Sequence, residues 1–140
     1  MQPTTNQTAS RGTVLIADDD PEILTMLSIR LSKKGYKVLE AADGLQTLQM
    51  AHAQHPDLVL LDVMMPGKNG WEVARELRGD SELSDIGIVM LTAIGEKVNE
   101  MTSPLYGADD YVDKPFDFAE LEAKIARVIQ AKAGKGGKAK

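Results

Sequence analysis

Cysteine is absent from all 140 residues, which removes disulfides, thiolate metal sites and a cysteine nucleophile together. Long apolar runs are missing too. No stretch approaches the roughly 18 consecutive apolar residues of a membrane span, and the opening MQPTTNQTASRG lacks the apolar centre of a signal peptide. No internal repeat is visible. These gaps leave a soluble, cytoplasmic protein with no membrane partner as the expectation. What is present, 43% hydrophobic residues over 140 positions, suffices for one domain with its own core.

Basic residues are unevenly spread. Four of the 16 fall at Lys132, Lys135, Lys138 and Lys140, which leaves 12 basic against 21 acidic groups in the rest of the chain. An acidic body disfavours direct contact with nucleic acid. The ending KAGKGGKAK, residues 132–140, carries no apolar anchor and reads as a flexible tail or linker. Residues 1–12 read as a disordered N-terminal segment, and 13–131 as the folded domain.

Within that domain, short β-branched runs alternate with amphipathic stretches. TVLIA, residues 13–17, predicts a buried strand, and Asp20 followed by Pro21 predicts a helix start. Ile23, Leu27 and Leu31 give that helix an inner face until Gly35 stops it. YKVLEA at 36–41 predicts a second strand; Asp43 before Gly44 caps a second helix marked by Leu45 and Leu48, which ends before Pro56. LVLL at 58–61 predicts a third strand, and Val73, Ala74 and Leu77 the inner face of a helix closed by Gly79. IGIVMLT at 86–92 and the YV pair at 111 and 112 predict strands four and five. Leu121, Ile125, Val128 and Ile129 predict the last helix. Such alternation, with strands apolar on both faces, implies an α/β fold: a doubly wound, five-stranded parallel sheet with helices on both sides.

Ligands of such sheets bind outside the carboxyl ends of the strands, so the residues standing there matter most. After strand one come Asp18, Asp19 and Asp20; after strand three, Asp62; at the end of strand four, Thr92; after strand five, Asp113 and Lys114. Crowded carboxylates raise one another's pKa unless a cation intervenes. A hard divalent ion relieves them. Mg2+, which prefers oxygen ligands and uses few carboxylates, suits two acids on one loop and one on another. Asp20 reads as a helix cap, His52 and His55 as surface residues, and Met64 and Met65 as packing residues.

LIADDD, LLDVMMPGKNG, MLTA and GADDYVDKPF occur in one order and spacing that resembles the receiver domain of two-component response regulators. The resemblance covers about residues 13–131. It implies a CheY-like, flavodoxin-like sheet of order 2-1-3-4-5. It further implies that Asp62 is the phosphoacceptor, that Asp19 is a direct Mg2+ ligand and that Asp18 acts mainly through water. The backbone carbonyl of Met64 would add a ligand, and Mn2+ is an alternative ion. Thr92 and Ala93 would meet the phosphoryl group, Lys114 would pair with it, Tyr111 would swing inward on activation, and Lys114–Pro115 would be a cis peptide. The implied partner is a sensor histidine kinase or phosphotransfer protein. The implied output is a switched surface of helix four, strand five and helix five that meets a downstream protein, as a monomer or a phosphorylation-dependent dimer. The protein would promote its own phosphorylation and slow dephosphorylation without being an enzyme.

Three rival readings fit the pattern less well. A phosphatase with an aspartyl-phosphate intermediate needs an acid at position 64, where Met stands. A flavodoxin needs a Ser/Thr/Gly phosphate loop where DDDP stands, and DDDP repels phosphate. A degenerate receiver serving only as a binding module would lack key residues, and all are present.

Departures from the pattern carry expectations of their own. Met64 and Ile94, two beyond the phosphoacceptor and two beyond the switch threonine, are apolar and orient no hydrolytic water, which predicts a slow loss of phosphate. Val98, Met101 and Leu105 outline helix four, yet Pro104 predicts that it is short, kinked or mobile. Ala119 stands where the winged-helix transcription-factor branch tends to place a dimer-supporting arginine. A stand-alone regulator is preferred over the receiver piece of a longer one, and Trp71 offers a candidate reporter beside the site.

Overall fold

The structure is a computed structural model that describes residues 11–92 and 107–138. Five strands, β1 (Thr13–Ala17), β2 (Lys37–Ala41), β3 (Leu58–Asp62), β4 (Gly87–Thr92) and β5 (Asp110–Asp113), form one sheet in the order β2-β1-β3-β4-β5. Every neighbouring pair is parallel. The described helices are α1 (Pro21–Lys33), α2 (Gly44–Gln54), α3 (Gly70–Gly79) and α4 (Phe118–Lys138). The helix expected around Val98, Met101 and Leu105 lies outside the described residues, as do Ala93 and Ile94.

The helices begin where short polar side chains satisfy free amides. Asp20 accepts from the Glu22 amide at 2.9 Å, and Asp43 from the Gln46 amide at 2.8 Å. Asn69 and Glu72 cap α3 reciprocally, each side chain accepting from the other's backbone N–H at 2.9 Å.

Alternation along the strands divides the core between the two faces of the sheet. Leu15, Val59, Leu61, Ile88 and Met90 face Ala51 of α2 and Val73 and Leu77 of α3. Val14, Ile16, Leu60, Val89 and Leu91 face Leu27 and Leu31 of α1 and Leu121 and Ile125 of α4. All of these are buried, and each Val, Leu, Ile or Met side chain among them contributes about 1.5–3 kcal/mol when removed from water. The apolar-on-both-faces character of β1, β3 and β4 follows directly. β5 has only Val112 fully buried.

The amino-terminal edge of the sheet is closed by paired polar groups. Arg78, at the end of α3, donates to the carbonyls of Gly107 (2.7 Å), Ser84 (3.0 Å) and Ile86 (2.6 Å), and to Asp109 (2.7 Å). Asp109 also accepts from the Ile88 amide at 2.8 Å and lies 3.2 Å from the Lys132 ammonium. Asp57 accepts from the Thr13 amide at 2.7 Å.

Two expectations need correction: Met64 as a packing residue and 132–140 as a flexible tail. Leu45, which falls in α2 as its spacing predicts, is 62% exposed. The inner stripe of α2 runs through Gly44, Thr47, Leu48 and Ala51, and one residue of advance, about 100° around a helix, carries Leu45 off it. Met64 is 71% exposed, so only Met65 packs inside. The segment 132–140, expected as a flexible tail, is helical as far as Lys138. Extending a helix already nucleated by a packed stretch avoids the nucleation cost, although each glycine of this segment costs about 1 kcal/mol against alanine. No described helix is long and apolar enough to cross a membrane.

Candidate functional site

Parallel strands deliver their carboxyl ends to one edge, and there the chain changes from apolar to acidic. β1 ends at Ala17, and the next residue, Asp18, is fully buried. Its Oδ1 accepts from the Asp20 amide at 2.9 Å, which fixes the loop, and its amide donates to the Ala41 carbonyl at 3.1 Å. Asp19 is exposed, and Asp62, the last residue of β3, is 5% exposed. One carboxylate oxygen from each of Asp18, Asp19 and Asp62 lies within 4.8 Å of the other two.

The loop after Asp62 holds that residue by close backbone contact. The Gly70 amide donates to the Val63 carbonyl at 2.9 Å, and a Cβ on Gly70 would stand 2.3 Å from the Asp62 carbonyl oxygen. Only glycine lets α3 start so near the strand end. Gly67, at φ +73°, makes the preceding turn in the left-handed region. Trp71, next in α3, packs partly against the core on that side.

One cation enters the cluster. The Lys114 ammonium, just beyond β5, lies 3.1 Å from Asp18 Oδ2 and 3.2 Å from Asp62 Oδ1. The Lys114 amide donates to the Thr92 carbonyl at 2.7 Å, and the Lys114–Pro115 peptide is cis. Among the described residues, Lys114 is the cation in this cluster, and it bridges two of the three carboxylates. Burial and the adjacent Asp18 charge push the Asp62 carboxyl up to about 6, outweighing Lys114 and the Met64 backbone amide, which pull the other way. For Lys114, burial disfavours the charge, but Asp62 and Asp18 outweigh it and hold the ammonium above its ordinary range. The cluster is an all-oxygen donor set with excess negative charge, which fits a hard divalent cation.

The remaining candidates stand on β4, on β5 and in the turn after β3. Thr92, the last residue of β4, is fully buried. Its hydroxyl donates to Asp113 Oδ1 and lies 3.4 Å from the Val112 carbonyl. Tyr111 packs against the α2/α3 side of the core, with the Lys124 ammonium 5.2 Å from its ring centre. Met64 is beside Asp62 in the chain and reaches into solvent. Asp113 was visible in the sequence as a strand end, but its hold on Thr92 was not, because that depends on the register of β4 against β5. Arg78 gave no sequence signal at all, since its partners come from three separate segments.

Residues 14–126 match the family model of the response regulator receiver domain. Over 117 residues the chain is 50% identical to the "Probable transcriptional regulator ycf27" of Galdieria sulphuraria, covering 84% of this chain and 45% of that protein. It is 44% identical over 122 residues to the phosphate regulon transcriptional regulatory protein PhoB of Pseudomonas aeruginosa, covering 84% of this chain and 52% of PhoB. The chain thus spans about half the length of these curated relatives. Among solved structures, it is similar to the receiver domain of the sensor histidine kinase PA1611 of Pseudomonas aeruginosa PAO1, solved with a magnesium ion coordinated in its active-site cleft. The TM-score is 0.78 at 31% identity, over 85% of this chain and 98% of that one. Five parallel strands in the order 2-1-3-4-5 and these matches lead to one conclusion: the chain belongs to the response regulator receiver domains, the CheY-like receivers of two-component signalling.

Proposed function

We propose that the chain accepts a phosphoryl group on Asp62 from the phosphohistidine of a sensor histidine kinase or phosphotransfer protein. The observation that carries this is the joint placement of Asp18, Asp19, Asp62 and Lys114 at the carboxyl edge of the sheet. An Asp62 oxygen attacks phosphorus as the N–P bond breaks. The product is an acyl phosphate on Asp62, and the histidine leaves with the bonding pair. The nucleophile needs no base, because a carboxylate attacks in its ionised form. Lys114 stands where it neutralises charge developing on the transferred group.

Asp18, Asp19 and Asp62 would hold Mg2+, with Mn2+ as an alternative, and the ion would supply charge neutralisation to the phosphoryl oxygens. The magnesium-bearing PA1611 receiver domain supports this assignment by its likeness. The Met64 carbonyl and Ala93 are proposed as further contacts. The phosphorylated state would draw Thr92 toward the new anion and move Tyr111, so that the surface around β5 and α4 presents a changed face to a downstream protein.

A second reading, in which the receiver controls an effector joined to it, is favoured by the lengths of the relatives, which are named as transcriptional regulators. In that case nucleic acid would be met by the effector and not by this acidic domain. The test of the primary reading is intact mass after incubation with acetyl phosphate. One phosphoryl adduct that requires Mg2+ and is absent from Asp62→Asn is expected; an adduct that survives the substitution would overturn the assignment.

A further inference from the structure

We infer that Asp113 is a latch on Thr92 that opposes the switched state, an inference that rests on the phosphoacceptor reading of Asp62. Thr92 and Asp113 are register partners, the last residues of adjacent parallel strands. Their side chains fall on the same face of the sheet. Lys114, one residue on, follows the alternation to the other face and reaches Asp62.

The Thr92 hydroxyl is fully buried and donates to the Asp113 carboxylate. A hydroxyl has one proton to donate. Asp113 and a phosphoryl oxygen on Asp62 therefore compete for the same bond, and Thr92 reaches the second only by releasing the first. The bond to Asp113 is charge-assisted, which makes it a strong rival. Its acceptor is exposed at the rim, so water takes over the carboxylate once Thr92 leaves. The arrangement holds the unphosphorylated state without blocking the site, and it sets the threshold at which a phosphoryl group captures Thr92.

Asp113 touches none of the reacting atoms and is a positioning residue. Four variants of the full chain test it: Asp113→Ala, Asp113→Asn, Thr92→Ala and Asp113→Ala with Thr92→Ala. Each is titrated with beryllofluoride, a phosphoryl mimic, at fixed Mg2+, after thermal melting has established that it folds. Removing the acceptor in Asp113→Ala should tighten apparent binding by about tenfold, the size of one partly exposed charge-assisted hydrogen bond. Asp113→Asn retains an acceptor oxygen but loses the charge assistance, so it should tighten binding by only about threefold, between the native chain and Asp113→Ala. In the Thr92→Ala background, removal of Asp113 should change little. Equal tightening by Asn and Ala would overturn the latch in favour of simple charge repulsion. Tightening that persists without the Thr92 hydroxyl, or none in Asp113→Ala, would overturn it as well. Failure of the native chain to bind beryllofluoride or take phosphate from acetyl phosphate would instead remove the phosphoacceptor reading, and the latch with it.

Discussion

The two edges of the sheet treat charge in opposite ways. At the amino edge, Arg78, Asp109, Lys132 and Asp57 are matched with carbonyls, amides and one another, and these bonds tie α3, β4, β5 and α4 together. At the carboxyl edge three carboxylates gather, one ammonium among the described residues reaches two of them, and Asp62 is pushed up to about 6 by burial and by Asp18. Matched buried polar groups hold a fold together; an unmatched cluster lowers stability until something binds it. The first edge holds the fold, and the second is arranged to receive a ligand.

Breaking the matched edge should have the largest effect on stability. Arg78→Ala strands the Ile86 and Gly107 carbonyls and leaves Asp109 short of a cation. A loss of about 3 kcal/mol is expected in urea unfolding, with Asp62 still accepting phosphate in the molecules that remain folded. Relieving the unmatched edge should act in the reverse direction. Asp62→Asn is expected to stabilise the metal-free chain at pH 8 by roughly 2 kcal/mol, the raised carboxyl's cost of about 3 kcal/mol discounted for solvent screening.

The pH dependence follows from the raised carboxyl. Above about pH 6 Asp62 is ionised in both folded and unfolded chains, and the folded state carries the full cost. As pH falls from 6 toward its ordinary value of 3.8, the folded chain takes up the proton first and gains stability. The advantage of Asp62→Asn should therefore shrink across that window and be gone at its lower end. Saturating Mg2+ at pH 8 should raise the melting temperature of the native chain and leave the variant less affected. An advantage for Asp62→Asn that is independent of pH would mean that packing, not charge, separates the two.

The smallest effect concerns the lifetime of the phosphorylated state. Met64 lies in solvent beside Asp62 and has no group to orient a water. Met64→Asn should speed loss of the phosphoryl group severalfold, followed by intact mass after removal of acetyl phosphate. An unchanged decay would show that the side chain at this position plays no part in admitting water.

Much of this contrast was legible in the residues, for physical reasons that also explain the gaps. Apolar runs bounded by Asp-Pro, Asp-Gly and Pro-Gly pairs mark buried parallel strands unambiguously, and the rule that such sheets bind ligands at carboxyl ends drew Asp18, Asp19, Asp62 and Lys114 together before any coordinate did. Leu45 and Leu48 marked the helix but not its inner flank, because that stripe is carried by Gly44, Thr47 and Ala51, small residues with weak hydrophobic signal. Met64 and Met65 are identical in type, and only the direction of the turn after Asp62 sends one out and the other in. Residues 132–138 carry a disorder-like composition, yet they continue a helix whose packed part lies upstream. The role of Arg78 and the bond from Thr92 to Asp113 depend on tertiary placement and strand register, which local patterns do not encode.

The measurement that bears most directly on the functional edge is the position of the phosphoryl group. After treatment with acetyl phosphate and Mg2+, borohydride reduction of the acyl phosphate and peptide mass analysis would mark the modified residue. A single mark at Asp62, dependent on Mg2+, is expected; a mark at Asp18 or Asp19 instead, or one that forms equally well without the ion, would contradict the phosphoacceptor assignment.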